Sequence, residues 1–224
     1  MPKAIYVTAF EETVEPITQI VTKFGGQPVW LEKPCWPLSP KTQEAIPFLC
    51  QIRLEPEIFG KIEAKMAYLF YQPYQPDSDS YDFEAVAAVL QPGSYSGLSS
   101  NQVSGPTTMR TVSLLESPFI ERHPIECSVQ LELSDDFEFE ANSRFNNDFP
   151  EKVKIGGTPQ FWNEGSLFPE NCPDEWNLLL QCRFSECGEN ESLIPFDLGF
   201  GNEGSTWWFL SKDGLKTEFN FIFH

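Results

Sequence analysis

Two stretches of this chain carry the same framework, and a duplication constrains a fold more than any isolated motif does. Lys23-Phe24-Gly25-Gly26-Gln27-Pro28-Val29-Trp30 aligns with Lys154-Ile155-Gly156-Gly157-Thr158-Pro159-Gln160-Phe161. Further on, Trp36-Pro37 answers Phe168-Pro169, and Phe48-Leu49-Cys50-Gln51-Ile52-Arg53-Leu54 answers Leu178-Leu179-Leu180-Gln181-Cys182-Arg183-Phe184. The interval from Gly26 to Gln51 nearly equals that from Gly157 to Gln181, so Lys, Gly-Gly, Pro, Gln and Arg recur in register. The apolar runs 66–71 and 206–210 continue it. Two copies are too few for a solenoid. The halves, about 1–105 and 106–224, are therefore expected to pack around a pseudo-two-fold axis as one domain spanning 1–224.

Most of the remaining pattern is that of strands. Residues 4–10, 47–54, 66–72, 85–91 and 107–115 have strand length and strand residue types. Val129, Leu131 and Leu133 alternate with Gln130, Glu132 and Ser134, which predicts one buried face and one wet face. The spacing of Val14, Ile17, Ile20, Val21 and Phe24 predicts an N-terminal amphipathic helix, with Thr13 as its cap, Pro16 in its first turn and Gly25-Gly26 as its stop. The expected class is α+β and β-rich: two sheet-containing halves packed together, with that one helix.

Charge narrows the function classes. The chain has 33 acidic against 15 basic side chains, a formal net charge of −18. Phosphate-backbone binding needs clustered Lys and Arg, and anionic membranes repel such a surface, so neither nucleic acid nor membrane is an expected partner. The first residues show no cationic stretch followed by an apolar run, and no segment has membrane-span length, which predicts a cytoplasmic protein. Six cysteines in such a chain read as reduced thiols, with Cys50 and Cys182 in the core. No cofactor or metal is expected.

The second copy resembles the bacterial YwqG-like family, a domain of unknown function. The resemblance rests on the Lys154–Pro159 element, on Trp176-Asn177-Leu178-Leu179-Leu180-Gln181, and on Phe200-Gly201-Asn202-Glu203-Gly204 leading into Trp207-Trp208-Phe209. It departs from the family where Phe200-Gly201-Asn202 replaces Trp-Gly-Asp. It implies a sheet-dominated α+β domain and carries no established activity. Some relatives serve as immunity proteins in toxin systems.

Catalytic motifs fail on context. Gly199–Gly204 has dinucleotide-type glycine spacing, but a strand-like segment follows where a helix is needed. Gly93-Ser94-Tyr95-Ser96-Gly97 places Tyr where a nucleophile elbow needs Ser. Only His123 and His224 exist to act as a base. Glu203 or Asp197 beside Asp213 would pair carboxylates for acid–base work.

Three readings of function follow. In the first, the protein is a non-enzymatic interaction module of immunity type that occludes a basic toxin domain. Glu126, Glu132, Asp135, Asp136, Glu138 and Glu140 would form its acidic face on a hairpin turning at Ser134-Asp135-Asp136. In the second, a small ligand or peptide enters a cleft between the halves lined by Trp30, Trp36, Phe161, Trp162, Asn202 and Glu203. The third is an unrecognised hydrolase. Gly25, Gly26, Pro28, Gln51, Gly156, Gly157, Pro159 and Gln181 are assigned to the structural framework of the repeat.

Overall fold

The computed structural model describes residues 2–73, 85–95, 99, 101–113, 120–136, 153–161, 168–185, 194–196, 198 and 203–223. In chain order the strands are β1 (Lys3–Glu12), β2 (Lys23–Gly25), β3 (Phe48–Arg53), β4 (Met66–Tyr71), β5 (Val86–Gln91), β6 (Met109–Ser113), β7 (Ile120–Pro124), β8 (Glu126–Asp135), β9 (Lys154–Gly156), β10 (Trp176–Ser185), β11 (Glu203–Ser211) and β12 (Thr217–Phe223). Ten of them form one nearly closed, barrel-like sheet, and β6 and β7 pair separately. Among the described residues the longest α-helix is α1, Pro56–Phe59, with Pro at its first turn and Gly60 at its end. The class is β, not α+β. No helix among the described residues is long and apolar enough to cross a membrane.

The predicted N-terminal helix does not form. Residues 13–22 run irregularly, and Val14 is 97% exposed. The segment is rich in β-branched residues, which lose rotamer freedom in a helix. Its backbone groups also find better partners in the sheet. Glu126 accepts from the Ile17 N–H, Lys23 Nζ donates to the Ile17 carbonyl, and Gln51 Nε2 donates to the Val21 carbonyl. Each of these bonds satisfies a group that a helix would have satisfied internally, so tertiary contacts outweigh the local periodicity.

Strand order displays the duplication. It runs β12-β11-β10-β9-β1-β8-β2-β3-β4-β5. This order reads the same from both ends once β1 is matched with β8, β2 with β9, β3 with β10, β4 with β11, and β5 with β12. The halves are interleaved, not merely packed: β1 lies between β9 and β8, and β8 lies between β1 and β2. Each half thus lends its first strand to the other half's side of the sheet. Even the irregularities repeat, since β3–β4 slips between Phe48 and Cys50 and β10–β11 between Leu178 and Leu180, which are equivalent positions.

The alternation of strand side chains divides the core into three. The barrel interior holds the largest cluster, drawn from both halves, including Val7, Phe24, Cys50, Leu69, Cys127, Ile155, Cys182 and Trp208. Phe10, Phe24 and Phe196 stack or meet edge-on within it at 5.1–5.9 Å. Outside, each half carries its own aromatic layer. Trp30, Leu31, Ile46, Phe48, Tyr68 and Phe70 form one. Phe168, Trp176, Leu178, Trp207 and Phe209 form the other.

Equivalent rows cross the two outer faces. One runs Ser128–Lys23–Gln51–Tyr68–Val89, the other Tyr6–Lys154–Gln181–Trp207–Asn220. In both, the glutamine carbonyl oxygen accepts from a backbone N–H of the covering loop, Val29 or Gln160, at 2.8 Å. The carbonyls of those same two residues accept from the Tyr68 hydroxyl at 2.8 Å and the Trp207 indole at 3.1 Å. This is why Gln51 and Gln181 recur: each pins its loop over its aromatic layer.

Burial of Tyr68 raises its phenol well above the ordinary 10.0, despite the opposing hydrogen bond from the Leu31 N–H. A raised folded-state pKa makes this contribution complete below pH 10 and lost as pH rises beyond it, because the unfolded chain ionises first. Above pH 10 the contribution falls by up to about 1.4 kcal/mol per pH unit. Tyr68→Phe is expected to flatten the alkaline fall of unfolding free energy by that amount. Denaturant titrations across this range that gave the same slope for both proteins would contradict it.

Candidate functional site

The twin motifs resolve into twin latches. Lys23 and Lys154 are both fully buried, and among the described residues each meets one carboxylate: Lys23 with Glu126, and Lys154 with Asp136 at 3.0 Å. In each latch one further residue bridges the pair, its N–H donating to the carboxylate and its C=O accepting from the ammonium. Ile17 does this for Lys23, and Thr158 for Lys154. Asp136 also accepts from the Tyr6 hydroxyl at 2.7 Å. Burial lowers both lysines below their ordinary 10.5, offset in part by the facing carboxylate. Burial, then the bond to Asp136, pushes the Tyr6 phenol up.

The second glycine of each motif makes room for the acid. A Cβ on Gly26 would lie 2.2 Å from the Glu126 carboxyl carbon, and one on Gly157 would lie 2.1 Å from Asp136 Oδ2. Both glycines also have positive φ, +65° and +73°. The two acids occupy different places in the repeat, yet both belong to one segment. Glu126 opens β8, and Asp136 follows its last residue.

This placement separates the six acids assigned to a partner-binding face. Glu126 and Asp136 are engaged inside the latches. Glu132 and Asp135 are exposed, while Glu138 and Glu140 lie outside the described residues. The hairpin turn expected at Ser134-Asp135-Asp136 is not there: Ser134 and Asp135 remain in β8, paired with Ala4 and Lys3.

The expected alternation in β8 also changes. Gln130, Leu131, Glu132 and Leu133 are all exposed, the two leucines by 43% and 46%. The cause is the brevity of β2, which covers β8 only from Glu126 to Ser128. Beyond that, β1 pairs one edge of β8, and among the described residues no strand pairs the other. Leu131 and Leu133 stand beside the buried Val7 and Ile5. This edge, which carries two leucines and two acids at the middle of the sheet and is unpaired among the described residues, is the feature that sequence patterning missed. Its signal was the short β-prone run between Thr22 and Gly25, read as the end of a helix.

The residues assigned to a cleft between the halves separate in the same way. Trp30 and Trp36 meet at 6.2 Å in the first outer layer. Phe161 packs on Phe168 and Trp207 in the second. Trp162 and Asn202 lie outside the described residues, and Glu203 opens β11. Pro28 and Pro159 follow the glycines of their latches and start the covering loops. Asp213 lies beyond the other end of β11 from Glu203, bonded to the Ser211 hydroxyl and the Leu215 N–H. Asp197, its other suggested partner, is outside the described residues. His123 is exposed on β7. Among the described residues no three His, Cys, Asp or Glu side chains group as metal ligands.

No family model, no curated protein and no solved structure matches the chain.

Proposed function

We propose that the protein is a non-enzymatic interaction module that docks a basic protein domain along β8, in the manner of an immunity protein that occludes a toxin. The observation that carries this is the stretch Gln130–Asp135 of β8, unpaired along one edge among the described residues and exposed at both leucines. Unpaired edges accept an added strand, and acidic side chains on such an edge discourage pairing with another copy of the same chain. Glu132 and Asp135 supply that repulsion. In a chain of net charge −18 they favour a cationic strand or surface and speed its approach. Leu131 and Leu133 provide the desolvated contact that charge alone lacks.

Native mass spectrometry against the toxin-domain product of an adjacent gene tests the reading. A one-to-one complex is expected. The double substitution Leu131→Ser with Leu133→Ser should weaken it by about tenfold or more, because truncated interface anchors commonly cost more than 1 kcal/mol each. Both side chains are half in solvent already, so the melting temperature should hardly move. Failure to form any complex, or equal binding by the double variant, would sink the proposal.

A further inference from the structure

Between the β6–β7 pair, which has no counterpart in the strand matching of the repeat, and the first half of the sheet lies an open cavity of about 460 Å³. That volume lies in the range of small-molecule sites. Its walls are chiefly apolar: Pro47, Pro73, Pro106 and Pro124 surround it, and Met109, the register partner of Pro124, shares the wall. The rim is preorganised. Gln27 exchanges two hydrogen bonds with the Gly105 backbone, at 2.8 and 3.0 Å, and the Phe48 N–H donates to the Pro106 carbonyl at 2.8 Å.

One charge faces this cavity. Arg122 is the only ionisable residue among the described wall residues. In a chain with more than twice as many acids as bases, cations tend to be claimed. Arg53 is bonded to Glu55, Arg110 to Glu12, and Lys23 and Lys154 to their latch acids. Among the described residues, nothing takes the Arg122 guanidinium.

We propose that this cavity binds a small amphiphilic monocarboxylate, its carboxylate held by the Arg122 fork and its apolar body against the prolines and Met109. The planar guanidinium matches a carboxylate in two parallel hydrogen bonds. A single cation within a strongly negative molecule suits a monoanion better than a dianionic phosphate, whose second charge would meet only repulsion. The site lies where β6 and β7, which have no counterpart in the strand matching, meet the first half of the sheet. It shares no residue with β8 and stands or falls independently of the docking reading.

Isothermal titration calorimetry of the full chain with octanoate, octan-1-ol and octylammonium tests it. Octanoate is expected to bind one site about tenfold more tightly than octan-1-ol, the margin of a charge-assisted hydrogen bond at a partly exposed site. Octylammonium should bind least. Arg122→Gln should reduce octanoate to the level of the alcohol without changing alcohol binding, and Arg122→Lys should restore part of the margin. Arg122 is exposed on its strand, so these variants keep the fold, which a melting curve checks. Equal affinity for octanoate and the alcohol, an unchanged margin in Arg122→Gln, or no heat with any of the three would overturn the assignment.

Discussion

Asp136→Ala is expected to destabilise the protein by about 3–5 kcal/mol, the usual cost of leaving one partner of a buried ion pair unpaired. Three donors lose a bond to Asp136 at once: the Tyr6 hydroxyl, the Thr158 N–H and the Lys154 ammonium, which keeps its bond to the Thr158 carbonyl. The ammonium is the expensive one, because Lys154 is buried and loses the carboxylate that faces it. The prediction has a second arm. Replacing both members, Asp136→Leu with Lys154→Met, removes the stranded charge and should recover most of the loss. Equilibrium urea unfolding measures all three proteins. If the single variant lost under 1 kcal/mol, or the double lost more than the single, the latch would not be what holds β9 to the end of β8.

Gly157→Ala should cost about 3 kcal/mol or more, for two separable reasons. Its φ of +73° is strained for any residue with a Cβ, which accounts for about 1–2 kcal/mol. The added carbon would also sit 2.1 Å from Asp136 Oδ2, an atom fixed by two hydrogen bonds. Gly60→Ala gives a reference for strain without collision, since nothing lies within 4 Å of the added carbon. Its φ of +72° with ψ of −159° is a region more restricted to glycine, so its cost is an upper bound on strain. The excess of Gly157→Ala over that reference is then a lower bound on the collision with Asp136 and the Ala4 Cβ. In an Asp136→Ala background that difference should shrink, since contacting residues are not additive. A difference that did not shrink in that background would mean that the carboxylate yields freely.

The framework of the fold was legible where it was repeated and obscure where it was not. Lys-x-Gly-Gly-x-Pro and the later glutamine marked equivalent positions, and those positions are equivalent: both lysines are buried, both glutamines pin a loop. The partners of the lysines could not be read this way, because Glu126 and Asp136 sit at opposite ends of one strand and break the repeat's spacing. The exchange of β1 and β8 was equally hidden. Ala4-Ile5-Tyr6 and Glu126-Cys127-Ser128 hold equivalent places yet share no residue. The helix expected over 13–24 failed because a three-to-four-residue apolar period says nothing about which backbone groups distant side chains will claim. The acidic run was visible as composition, but patterning could not tell Glu126 and Asp136, spent on the interior, from Glu132 and Asp135, left on the surface.

The interleaving of first strands has a consequence for how such a chain is made. β1 is made well before its partners, which are at Glu126–Asp135 and Lys154–Gly156. Until those emerge, the N-terminal half lacks the strands that flank β1, and Ile5, Val7 and Phe10 have no interior to enter. Pairings this distant in sequence make folding slow relative to stability. The nascent first half is therefore the stage most open to aggregation. Residues 1–105 have only 12 acidic against 7 basic side chains. Most of the negative charge that draws a basic partner therefore arrives with the second half, and half-made copies have little mutual repulsion to keep them apart.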